Sequence, residues 1–162
     1  MNKLTKKKII MSCIISIAVI ILLFTLNSES TGISREKYSK YLQTTTDKSV
    51  NLTRSYQDEI GLWVKGDYSN ITMAKITETF LPKFIIQLNE FNNTKSPELY
   101  DKVKENFVKS FENEIKSYEL FKYYLITNNS TENGLSIDYL SKALEYETMA
   151  RSYYNQVSNT SR

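Results

Sequence analysis

Ser96–Leu125, SPELYDKVKENFVKSFENEIKSYELFKYYL, is the stretch whose reading decides the fold. Its opening has the grammar of a helix start. Ser96 offers a hydroxyl cap, Pro97 suits a first helical position where no backbone donor is needed, and Glu98 falls near the positive end of the helix dipole. Beyond it Tyr100, Val103, Phe107, Phe111, Ile115, Tyr118, Phe121 and Leu125 recur at helical spacing, which predicts a helix with one buried face. On the other face Glu98 precedes Lys102, Glu105 precedes Lys109 and Glu112 precedes Lys116 by four residues, the favourable order for surface pairs. Each such pair contributes only about 0.2–0.5 kcal/mol, so this face reads as solvated rather than as a site.

Towards the C-terminus, Asn128–Gly134 reads as a polar loop, and Ser136 as the cap of a further helix reaching about Val157. Leu140, Ala143, Leu144, Ala150, Tyr154 and Val157 are spaced for burial. Glu147 interrupts that stripe, and Tyr139, Tyr146 and Tyr153 form an adjacent strip. Leu140–Val157, LSKALEYETMARSYYNQV, resembles a tetratricopeptide helix, although no second copy follows at the expected spacing of about 34 residues.

Towards the N-terminus, Phe80–Leu88, FLPKFIIQL, is the most apolar stretch outside the N-terminal region, within a helix predicted from near Ser69 to Asn92–Asn93. Pro82 removes a backbone donor there and crowds the preceding turn, which predicts a kink or break. Phe80, Pro82, Phe84 and Ile85 are therefore the candidate interface, with closed bundle core as the competing reading. An earlier helix from Ser34 to Gly66–Asp67 carries Tyr38, Leu42, Leu52, Tyr56, Ile60, Trp63 and Val64. Polar Thr45 and Ser49 fall in the middle of its stripe, so packing there is expected to be thin.

The whole is an all-α pattern: an N-terminal transmembrane helix followed by an antiparallel up-down four-helix bundle. The boundaries expected are a basic segment over 1–8, a signal anchor over 9–26, a linker over 27–33 and a bundle over 34–162. Ile9 to Leu26 is an uncharged apolar run of 18 residues, long enough for about 27 Å of helix. Lys3, Lys6, Lys7 and Lys8 precede it and place the N-terminus in the cytoplasm and the bundle outside. Cleavage after a signal peptide, with a small-x-small site at Ser28-Glu29-Ser30, is the alternative and leaves a secreted bundle. Ile10-Met11-Ser12-Cys13 is similar to a bacterial lipobox, but in a lipobox the apolar run comes before the cysteine, whereas most of this run comes after it, so Cys13 reads as membrane-facing.

Composition narrows function further. The 162-residue chain has no histidine and one cysteine, which removes Ser-His-Asp and Cys-His catalysis, Cys/His zinc sites and internal disulfides. The net charge of +3 comes from 21 basic and 18 acidic residues; without the four N-terminal lysines the balance is 17 to 18, so no basic field is left for nucleic acid. No cofactor is implied, and Glu147 is the best single carboxylate for acid–base work but has no evident partner. Among Asn-x-Ser/Thr triplets, Asn92, Asn128 and Asn129 fall at expected loops and are the candidate glycosylation sites. The expectation is a non-catalytic, membrane-anchored interaction module that meets a protein partner or itself. The order of lysines, membrane helix and outer bundle also resembles the start of a bacterial chemoreceptor, which implies a ligand-sensing bundle signalling through a partner.

Overall fold

A computed structural model describes residues 33–160; the basic segment, the Ile9–Leu26 run and nearly all of the 27–33 linker lie outside the described residues. Four helices follow one another: α1 Ile33–Lys65, α2 Asn70–Asn93, α3 Asp101–Thr127 and α4 Ser130–Thr160, with a 3-10 turn at Glu98–Tyr100 before α3. Among the described residues there is no strand, and no helix is long and apolar enough to cross a membrane.

Local chemistry sets most boundaries. Gly66, at φ 96°, ends α1: its N–H reaches Trp63 O at 3.1 Å and that of Asp67 reaches Leu62 O at 3.0 Å, the paired bonds that satisfy the last carbonyls of a helix. Ser69 caps α2, its Oγ accepting from the Thr72 N–H at 3.1 Å. Asn128 takes φ 56° to end α3, a conformation that asparagine tolerates better than most side chains.

Three expectations are corrected. Pro97 does not open α3, because Ser96 spends its hydroxyl on the Asp101 carboxylate and Glu98–Tyr100 winds as 3-10 before the α-helix starts at Asp101. The loop over 128–134 shrinks to Asn128 and Asn129, with Gly134 and Ser136 inside α4. Nor does Pro82 break α2, which runs unbroken to Asn93. Pro82 is exposed, so the carbonyl of Glu78 that loses its donor faces a side of the helix that water can solvate.

Ring and hydroxyl contacts fix the directions. Tyr56 meets Thr77 while Tyr41 meets Thr94, so α1 and α2 are antiparallel. Phe84 meets Tyr118 and Phe91 meets Phe111 across α2 and α3; Ser117 meets Ser136 and Ser110 meets Ala143 across α3 and α4. Each successive pair therefore reverses direction, as short connections require. The buried positions recur every seven residues: Leu42, Ser49, Tyr56 and Trp63 on α1; Thr77, Phe84 and Phe91 on α2; Val103, Ser110, Ser117 and Tyr124 on α3; Ser136, Ala143, Ala150 and Val157 on α4. A seven-residue repeat keeps one seam of each helix facing its neighbours.

The helices are not equally close. Small residues let α3 and α4 approach most nearly, and Ser110 Oγ donates to Ala143 O at 2.8 Å while Ser136 Oγ donates back to Ser117 O at 2.9 Å. By contrast α1 comes backbone-close only to α2 and reaches α3 through large rings. Tyr56 stands 4.6 Å from Tyr118 and Trp63 5.3 Å from Phe121, centroid to centroid.

Candidate functional site: a polar layer between two cores

The apolar interior is divided. One cluster gathers Tyr56, Ile60, Trp63, Met73, Leu81, Phe84, Ile115, Tyr118 and Phe121; the other gathers Tyr38, Leu42, Phe91, Tyr100, Val103 and Val157. Where they meet lie Ser49 and Thr53 of α1, Gln87 of α2 and Glu114 of α3, and Glu147 and Arg151 of α4 follow about two turns or more along, beside the second cluster. Ser49, expected to thin the packing of α1, is itself buried in this layer.

Glu114 is its centre. Its Oε1 accepts from the Tyr118 hydroxyl at 2.5 Å and from Thr53 Oγ1 at 3.3 Å, which ties α3 to α1. Burial pushes its carboxyl up to about 7 and the nearby Glu147 carboxylate adds to that, while the Tyr118 and Thr53 bonds pull the other way. Ser110 lies opposite Ala143, which puts Glu147 opposite residue 106 and about two turns from Glu114 along the axis. Side chains lean towards their own helix N-terminus, so on antiparallel helices these two carboxyls converge.

Glu147 is not the solitary carboxylate of the sequence reading. It is paired with Arg151 one turn on, and both side chains are largely buried. Gln87 lies level with Glu114, bracketed by the Phe84–Tyr118 and Phe91–Phe111 ring contacts, and its buried Oε1 meets no donor among the described residues. No group of three or more His, Cys, Asp and Glu side chains among the described residues is arranged to hold a metal ion.

The other candidate residues scatter. Of the α2 set, Phe84 is 2% exposed in the first core, Phe80 is half-buried with the Lys83 ammonium 4.5 Å from its ring centre, and Pro82 and Ile85 face outward. Ile86, 56% exposed, joins them. Asn92, Asn128 and Asn129 are all exposed, although Asn128 Oδ1 accepts from Asn70 and Asn129 Oδ1 from the Thr131 N–H. The strip of Tyr139, Tyr146 and Tyr153 lies beside Lys142, Lys109 and Lys102, whose ammonium groups sit 5.0, 5.6 and 5.3 Å from the respective ring centres. Of the expected surface pairs, Glu105–Lys109 forms at 2.6 Å, whereas Lys116 turns to Glu119 instead of Glu112.

Compared with protein-family models, curated proteins and solved structures, the chain matches none.

Proposed function

We propose that this chain is a non-catalytic helical interaction module, held at the cell envelope by an N-terminal transmembrane helix over Ile9–Leu26 with its bundle outside the membrane. The observation that carries the contact role is the outer side of α2, where Pro82, Ile85 and Ile86 expose apolar surface within one turn of one another. Apolar patches on a solvated surface favour association. The lysines before an uncharged run support the anchor and its orientation. A photoreactive residue at position 86, activated in native membranes, tests the reading: a discrete crosslinked protein, whether a second copy or a partner, is expected, and its absence with the fold intact rejects the contact role. Protease added to spheroplasts is expected to digest the bundle; full protection rejects the orientation.

A second reading, a ligand-sensing bundle that signals through a partner, is favoured by the polar groups inside the bundle, where Glu114 of α3 meets Thr53 of α1 and Glu147 pairs with Arg151 on α4. Thermal stabilisation by a small-molecule panel supports this reading, and a flat response leaves the contact module ahead.

A further inference from the structure

We propose that copies of this chain associate side by side, the α2–α3 face of one docking on the α3–α4 face of the next. Such association rests on the contact role proposed above and names a second copy as what covers the outer side of α2. On α4 there are two seams. Ser136 and Ala143 lie on the inner one, against α3. Leu135, Tyr139, Lys142, Tyr146, Met149 and Tyr153 form the outer one, stepping by four and three residues, the spacing by which one helix packs on another. That outer seam is open to solvent: Leu135 is 43% and Met149 40% exposed, and the three tyrosines are half-buried.

Charge distinguishes the two faces. On α3, Lys102, Lys109 and Lys116 recur every seven residues, and Glu105, Glu112 and Glu119 follow each of them by three. Lys109 and Lys116 stand one residue before Ser110 and Ser117, which face α4, and the Lys102 and Lys109 ammonium groups lie over the Tyr153 and Tyr146 rings. Glu112 and Glu119 stand one residue after Phe111 and Tyr118, which face α2. At about 100° per residue, the glutamates flank the α2 side and the lysines the α4 side. Glu105–Lys109 and Glu119–Lys116 pair within the helix, while Glu112 and Lys102 have no ion pair among the described residues. An acidic column thus borders exposed Pro82, Ile85 and Ile86, and a basic one borders the tyrosines. Unlike faces attract, whereas either face on its own kind brings like charges together.

The levels match as well. Phe84 is level with Tyr118 and Ser136 with Ser117, so Ile85 and Ile86 stand within about a turn of the height of Leu135 and Tyr139. In copies held parallel by anchors in one membrane, the apolar side of α2 meets the tyrosine seam of the next copy, and glutamates of one α3 meet lysines of the other. Each copy offers one face of each kind, so association continues beyond a dimer.

Disulfide trapping of the full chain in native membranes, with Cys13→Ser throughout, tests this. Asn89→Cys on α2 and Asp138→Cys on α4 alter exposed residues beside the apolar groups and lie about 3 Å apart in height by the same register. Each is placed in one of two copies tagged to different mass. The mixed disulfide is expected to exceed severalfold both like products and the collision level set by Asp58→Cys on the outer side of α1. Lys102→Glu with Lys109→Glu in the Asp138→Cys copy is expected to lower the mixed product about threefold or more, and Glu105→Lys with Glu112→Lys in the other copy to restore it. A dominant disulfide between two Asn89→Cys chains, or a mixed product indifferent to the charge reversals, overturns the proposal. No disulfide between copies, with a photoreactive residue at position 86 still capturing a different protein, overturns it and leaves the contact role standing. Silence of both probes removes the contact role as well.

Discussion

The Tyr118 hydroxyl donates to Glu114 Oε1 at 2.5 Å, and the two belong to one helix, a turn apart. A phenol giving its proton to a carboxylate favours the charged form, yet burial and Glu147 outweigh it and the carboxyl is raised from 4.5 to about 7. The sign for stability follows. A raised carboxyl binds its proton more tightly in the folded chain, so stability from this group is full below about 4.5 and falls as pH rises towards 7. At roughly 1.4 kcal/mol per unit the limiting change is about 3 kcal/mol. Glu105, held low by Lys109, acts in the opposite sense and only below its ordinary range, so the two windows separate. Thermal unfolding is expected to show a midpoint that drops between pH 5 and 8, and Glu114→Gln is expected to remove the drop and unfold later at pH 8.

Close approach of α3 and α4 depends on residues too small to keep them apart. Ser117 is 2% exposed, and Ser117→Leu is expected to cost about 1–3 kcal/mol by overpacking. Ser117→Ala is expected to cost under about 1 kcal/mol, because Ser136 still donates to the backbone oxygen of residue 117. Urea unfolding of the two variants separates volume from hydrogen bonding; equal losses would show that the hydroxyl, not the space, matters.

The four-helix pattern is legible from stripes such as Tyr56, Ile60 and Trp63, because apolar residues three and four apart can be buried together only on a helix. The start of α4 is not. Asn133 and Gly134 read as loop, but Gly134 faces open space and its cost of about 1 kcal/mol in a helix is outweighed when Asn133 and Ser136 are buried against α3. Glu114 is hidden for a different reason. Its neighbours Glu112 and Lys116 invite a surface reading, and the informative signal is that Glu114 falls seven residues from both Phe107 and Phe121, a carboxylate on a seam of rings. The expectation of a lone Glu147 misses Arg151 because the pair alternates with apolar residues along one stripe.

Asn128 serves as both a candidate acceptor and a helix terminator, and the two roles respond differently to substitution. At φ 56°, Asn128→Ala is expected to cost about 1 kcal/mol, while Asn128→Gly removes the sequon and keeps the backbone. Intact mass from native membranes reads the modification and thermal unfolding reads the cap. A mass loss in Asn128→Gly well beyond that of the exchanged side chain, with an unshifted midpoint, indicates glycan use; a loss equal to the side-chain difference leaves Asn128 as a cap.

Phe84 and Ile86 lie two residues apart on α2 and face opposite environments, one 2% and the other 56% exposed. Phe84 packs edge-on and tilted among Tyr56, Phe80 and Tyr118, so Phe84→Asn is expected to lose about 2–5 kcal/mol and unfold a marginal domain. Ile86→Asn leaves no cavity, and a surface change of this kind is expected to shift stability by about 0.5 kcal/mol or less. If the outer side of α2 is where the module meets its partner, the second variant alone separates folding from function. Its melting curve is expected to overlay that of the natural protein, while its crosslinked species in native membranes disappear. Retention of those species in Ile86→Asn and in Ile85→Asn would move the contact surface away from α2.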